Sequence, residues 1–233
     1  MSLIVALDYS DLESCKKLIQ ELRSLVKIYK IGSELFTAHG WKAVELVKKS
    51  GAEIFLDLKL HDIPTTVAKT SRVITRHEVL MFNVHALGGL QMMRAAREAV
   101  NEECQNKSKR KPILLGVTIL TSLEEKTLSQ ELGISRPLRE EVVSLAGLAK
   151  EAGLDGVVAS PEEVQILRVK FGKEFVIVTP GIRPSGSDAN DQQRSLTPAE
   201  AIKQGASYLV VGRPITAAPR PEHAAREILQ SLA

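Results

Sequence analysis

The chain has 233 residues, 44% apolar and 25% charged, with a formal net charge of +3. That length holds one large core and no break in composition divides it, so one domain over residues 1–233 is expected. So small a surplus of positive charge excludes a nucleic-acid footprint; its densest run, Lys107 to Lys111, sits among Asn106 and Ser108 and reads as a solvated loop.

Along the chain, short apolar runs alternate with stretches of helical spacing. Leu3–Leu7 reads as a strand, and Ser10-Asp11 opens a helix carrying Leu12, Leu18, Leu22 and Leu25. Val26–Ile31 follows, then Leu35, Val44 and Val47, closed by Gly51. Glu53–Leu58 precedes a helix started by Pro64 and carrying Val67 and Val73. Leu80–Val84 leads to Met92, Ala96 and Val100, and Ile113–Thr118 leads to Val142, Leu145 and Leu148, closed by Gly153. Gly156–Ala159 is followed by the start signal Ser160-Pro161. Phe175–Val178 is followed by Thr197-Pro198 with Glu200, and by Gly205 at the helix end. Tyr208–Val211 precedes Ala224, Ile228 and Leu232. Proline just inside helix starts and glycine just past their ends fit these boundaries.

Eight such units predict an α/β protein, a single (β/α)8 TIM barrel. A doubly wound open sheet is the alternative, because counting strands does not prove closure. The two cysteines, Cys15 and Cys104, fall in predicted helices far apart. They offer neither a disulfide framework nor metal-ligand spacing, so a reducing compartment, the cytoplasm, is expected. The first strand leaves no room for a signal peptide, and no apolar run has the length of a membrane span.

A barrel puts its chemistry at the carboxyl ends of its strands and binds phosphate in the loops after strands seven and eight. Asp8 ends strand one, Lys30 strand two, and Asp57-Leu58-Lys59-Leu60-His61-Asp62 strand three. Alternation along a strand points Asp57 and Lys59 the same way, while Asp62 falls in the following turn. An Asp-x-Lys alone reads as a salt-bridged strand end. Four charges of alternating sign at three successive strand ends read as a network instead. Buried ion pairs contribute little net stability, so a core that keeps them is using them. A lysine among carboxylates stays protonated, and serves as a proton donor or as a fixed cation for a substrate anion.

After strand seven comes Pro180-Gly181-Ile182-Arg183, then a polar stretch containing Gln192 and Arg194; after strand eight comes Val211-Gly212-Arg213-Pro214. Glycines admit backbone amides to an anion, and arginine forks bind it, so both loops read as a phosphate grip. The segment from Ser185 to Leu196 is long and polar enough to serve as a lid. His39, His61 and His85 read as hydrogen-bonded structural groups, and no serine or cysteine has a base beside it in sequence.

These segments together resemble the orotidine 5′-monophosphate decarboxylase family, from Ala6-Leu7-Asp8 through Lys30-Ile31-Gly32, Asp57 to Pro64, Val84-His85-Ala86, Leu120-Thr121-Ser122, Pro180 to Arg183 and Asp191 to Arg194 to Val211-Gly212-Arg213-Pro214. The Asp-x-Lys-x-x-Asp core is shared with a wider group of phosphosugar enzymes. Lys30 separates them, since the magnesium-dependent relatives have an acidic residue there. The resemblance implies conversion of orotidine 5′-monophosphate to uridine 5′-monophosphate, the last step of pyrimidine nucleotide synthesis, without cofactor or metal. It implies that Lys59 protonates the ring carbon, that Asp57 faces the substrate carboxylate, and that Lys30, Asp57, Lys59 and the partner subunit's Asp62 form a charged array in a homodimer with shared sites. It further implies that Asp8 and Lys30, with Asp62 and Thr66 reaching in from the partner, hold the ribose, and that Asp57, Lys59 and Ile63 also bind the substrate. Thr121, with Ser122, would orient the pyrimidine, and Arg183, Gln192, Gly212 and Arg213 would hold the phosphate. A metal-dependent sugar-phosphate enzyme and a non-catalytic nucleotide-binding barrel are the competing readings. Lys30 speaks against the first and the intact Asp57, Lys59 and Asp62 against the second.

Overall fold

The computed structural model describes residues 2–107, 110–182 and 196–232. Strands β1 (Leu3–Ala6), β2 (Ile28–Gly32), β3 (Glu53–Leu60), β4 (Met81–His85), β5 (Ile113–Val117), β6 (Gly156–Val158), β7 (Val176–Thr179) and β8 (Tyr208–Val211) pair in parallel with their neighbours in sequence. Leu3, Ile4 and Val5 pair with Leu209, Val210 and Val211, which joins the last strand to the first and closes the barrel. The open-sheet alternative is thereby excluded. Helices α1 (Leu12–Leu22), α2 (Ser33–His39), α3 (Trp41–Lys49), α4 (Pro64–Arg76), α5 (Gly89–Lys107), α6 (Glu125–Gln130), α7 (Leu138–Glu151), α8 (Val164–Phe171), α9 (Pro198–Lys203), α10 (Arg213–Thr216) and α11 (Pro221–Gln230) fill the connections. Among the described residues, none is long and apolar enough to cross a membrane.

Each strand is buried on both faces, which is why it reads as an almost unbroken apolar run. One face of β1 sends Leu3 and Val5 outward, under the helices, into a cluster with Leu18, Leu22 and Ile228. The other sends Ile4 and Ala6 into the barrel, where Phe55, Met81, Leu115, Val117, Val158, Val178 and Val210 meet them. At Gly156 a Cβ would come within 1.9 Å of the Val176 carbonyl oxygen, so β6 and β7 approach to a distance that only glycine permits.

The start signals act as the sequence implies. Asp11 accepts the Ser14 amide at the head of α1, Pro64 stands in the first turn of α4, and Thr197 and Glu200 form a reciprocal capping box on α9. Several boundaries differ from expectation. Strand β2 starts at Ile28, not Val26, because the amides of Leu25 and Val26 still bond to the Leu22 carbonyl at the end of α1. The apolar face of α4 runs from Val67 to Ile74, one heptad on, and leaves Val73 40% exposed. On α11, Ala225 rather than Ala224 is buried beside Ile228. Helices α2 and α3 are separate because Gly40 breaks between them at φ 55°. Just past that break Trp41 stacks on His77, at the end of α4, with ring centroids 3.6 Å apart and planes 5° from parallel.

Candidate active site

The apolar interior of the barrel ends in a cavity of about 510 Å³, within the usual range for a small-molecule site. Its floor is Ala6, Phe55, Val117, Val158 and Val210. Its walls are Asp8, Lys30, Asp57 and Lys59 from the first three strand ends, Thr121 and Ser122 after β5, Pro180 and Gly181 after β7, and Gly212 and Arg213 after β8. Residues scattered over more than two hundred positions of sequence thus meet in one concavity, at the strand ends where they were expected.

The charged residues form a continuous chain. Lys30 Nζ lies 3.0 Å from Asp8 Oδ1 and 3.6 Å from Asp57 Oδ2, and Lys59 Nζ lies 2.8 Å from Asp57 Oδ1. Asp57 is buried, which alone would raise its carboxyl; Lys30, and then Lys59 and Asn83, outweigh the burial and hold it below the usual carboxylate range. Burial likewise pulls the Lys30 ammonium down, but Asp57 and Asp8 more than reverse it, so its net displacement is upward. The two middle members of the chain, Lys30 and Asp57, therefore stay ionised near neutral pH, a fixed pair of opposite charges in the cavity wall.

The regular alternation that aligned Asp57 with Lys59 is not how the strand is built. Leu56 pairs with Phe82 and Leu60 with Val84, so four steps along β3 match two along β4. Lys59 lies in this irregularity at φ 51°, in the left-handed region that a non-glycine residue rarely occupies. Its amide donates to Asn83 Oδ1 at 2.8 Å, and Asn83 Nδ2 donates to Asp57 Oδ1 at 2.7 Å. Sequence reasoning gave Asn83 no role. An uncharged residue inside an apolar strand carries no motif, and its only signal was being a polar residue in a run buried on both faces.

Asp62 does not join the network within its own chain. It is exposed, its Oδ1 accepting the Ile63 amide at 2.6 Å, and among the described residues it lines no part of the cavity. Ile63, 66% exposed, and Thr66, also exposed, stand beside it at the start of α4. Arg183, Gln192 and most of the stretch from Ser185 to Leu196 lie outside the described residues. His85 stacks near His61 with ring centroids 5.4 Å apart and accepts the Leu87 amide through Nδ1. Burial above all, then His61 and Lys59, pushes its imidazole down to about 4, so it is neutral at neutral pH. His39 is tied to the Ser10 carbonyl at 2.9 Å.

The model of the orotidine 5′-phosphate decarboxylase / HUMPS family matches residues 1–228. The chain belongs to that family. Among curated members named orotidine 5′-phosphate decarboxylase, that of Moorella thermoacetica is 54% identical over 97% of this chain and 90% of its own length. That of Syntrophotalea carbinolica is 52% identical over 99% of this chain and 94% of its own. The crystal structure of orotidine 5′-phosphate decarboxylase from Lactobacillus acidophilus superposes with a TM-score of 0.86 at 37% identity, covering 99% of this chain and 98% of that one. The family's barrel is thus this chain's barrel.

Proposed function

We propose that the chain decarboxylates orotidine 5′-monophosphate to uridine 5′-monophosphate, the last step of de novo pyrimidine nucleotide synthesis, in the cytoplasm and without a cofactor. The observation that carries this reading is the Lys59 ammonium held 2.8 Å from Asp57 in a cavity also lined by Gly212 and Arg213. The bond from ring carbon C6 to the carboxylate breaks heterolytically, carbon dioxide leaves, and the electron pair stays on C6. Lys59 stabilises that charge and then transfers its proton to C6, and solvent restores the ammonium. A preorganised cation that meets more negative charge in the transition state than in the ground state lowers the barrier. Asp57 faces the departing carboxylate and, together with Lys30, fixes Lys59 in place.

Arg213 and Gly212, with Arg183 and Gln192, bind the phosphate, while Thr121 and Ser122 orient the pyrimidine. Asp8 and Lys30 bind the ribose. The protein is a homodimer in which the partner subunit's Asp62 and Thr66 complete each site; the exposed position of this turn, outside the lining of its own chain's cavity, supports that arrangement. An absorbance assay with orotidine 5′-monophosphate tests the reading. Turnover that survives dialysis against a chelator is expected, because Lys30 puts a cation where a divalent metal would need a carboxylate. No turnover, or turnover restored only by magnesium, would favour the metal-dependent sugar-phosphate chemistry instead.

A further inference from the structure

We propose that Asn83 is a positioning residue for this reaction, its carboxamide fixing both the Asp57 carboxylate and the left-handed backbone from which Lys59 reaches the cavity. The inference rests on the decarboxylase reading above. Asn83 is fully buried in the middle of β4. Its Nδ2 donates to Asp57 Oδ1 at 2.7 Å, and its Oδ1 accepts the Lys59 amide at 2.8 Å. The two ends of the amide meet opposite partners, so only one of its two flips satisfies both; the other would set NH₂ against N–H and C=O against a carboxylate.

The irregularity in β3 takes the Lys59 amide out of the ladder with β4, and a buried amide without a partner is costly. Asn83 supplies that partner. A left-handed non-glycine residue persists where its surroundings over-determine it, and the Asn83 contact is such a constraint on Lys59 at φ 51°. The same side chain shares Asp57 Oδ1 with Lys59 Nζ, which leaves Oδ2 turned to Lys30. One neutral residue therefore sets both the plane of the shared carboxylate and the path of the lysine. The charged and titratable groups around it are Asp57 and Lys59 from β3, Lys30 from β2, and His85 two residues along β4, with His61 beside His85.

Asn83→Ala is expected to lower kcat about 10²-fold, the scale of misplacing a reacting group by an ångström, while binding of uridine 5′-monophosphate changes less than about threefold. In the same variant the Lys59 amide should exchange with solvent deuterium faster than in the native chain. In Asn83→Asp a protonated carboxyl can make both hydrogen bonds, whereas an ionised one opposes Asp57 and keeps only the acceptor. Its turnover should therefore recover toward native on acidification and fall at a lower pH than the native enzyme's, the transition belonging to the carboxyl pair. Should Asn83→Ala fail to fold, Asn83→Asp at acid pH carries the test. Native kcat in folded Asn83→Ala, unchanged exchange at Lys59, or a native pH profile in Asn83→Asp would overturn the proposal. The exchange measurement needs no substrate, so a native chain inactive on the nucleotide would defeat the decarboxylase reading and still leave the role of Asn83 to be decided.

Discussion

Lys59 meets Asp57 across an insertion in the strand: its Nζ is 2.8 Å from Asp57 Oδ1, although its backbone stands at φ 51° and β3 has gained two residues on β4. The pair is thus placed by a local departure from strand geometry. Lys30, by contrast, reaches the same carboxylate from a regular position in β2, paired with Phe55 and Ala6. One ammonium is held by the ladder and the other by an exception to it.

Lys59→Ala is expected to abolish decarboxylation and to leave affinity for a product-like nucleotide largely intact. Loss of one preorganised electrostatic group costs about 10²–10³ in rate, and loss of the proton donor adds to it. Single-turnover kinetics alongside nucleotide titration separate the two; near-native turnover would remove Lys59 from the chemistry.

Arg213→Ala should weaken the nucleotide strongly and hardly alter reaction of the phosphate-free nucleoside. A charge-assisted hydrogen bond is worth roughly 1.5–3 kcal/mol, or about one to two orders of magnitude in affinity. Parallel kinetics with both substrates read the difference. Equal damage to both would make Arg213 a structural residue.

Lys59→Ala and Asp62→Ala homodimers should each be severely impaired, yet partly rescue one another after mixed unfolding and refolding. Random pairing makes about half the dimers hybrids, each with one doubly defective and one intact site, so activity should return to roughly a quarter of native. Hybrids confirmed by mass that stay inactive would place Asp62 with its own chain's Lys59.

Acid should weaken the fold through His85 before it reaches the carboxylates. The imidazole is held at about 4 in the folded chain against 6.5 when free, chiefly by burial, so the unfolded chain takes up more protons between those values. The contribution is complete above about pH 6.5 and is lost as pH falls toward 4, a change of about 3 kcal/mol at the usual conversion. Asp57, held low, adds its own loss below its free value of 3.8. Urea unfolding at pH 7 and pH 4.5 should show the decline, and His85→Asn should flatten it. An unchanged slope in that variant would place the protonation elsewhere.

All eight strands were legible in the sequence because burial on both faces leaves an unbroken apolar run. Where a boundary moved, as at Val26, one more turn of helix had captured an amide that periodicity assigned to the strand. Lys30 and Asp57 were legible because charge at the end of an apolar run is costly to bury and adds little stability, so it marks a site; Asp8 and Lys59, more exposed, were legible through the alternating series they complete. Closure was not, since the pairing of Leu3 with Leu209 joins residues at opposite ends of the chain. The twist at Lys59 and the part played by Asn83 were hidden for a related reason: both depend on what the neighbouring strand presents, and composition within a segment does not encode its neighbour.

The stacking of Trp41 on His77 gives the molecule an optical handle. It is the chain's single tryptophan, and indole fluorescence is sensitive to a ring in face contact. His77 follows the last residue of α4, whose first turn adjoins the turn bearing Asp62. Emission changes when the two rings part, so one unlabelled signal tracks whether the end of α4 keeps its contact with the start of α3, and with it the helix that follows the Asp62 turn.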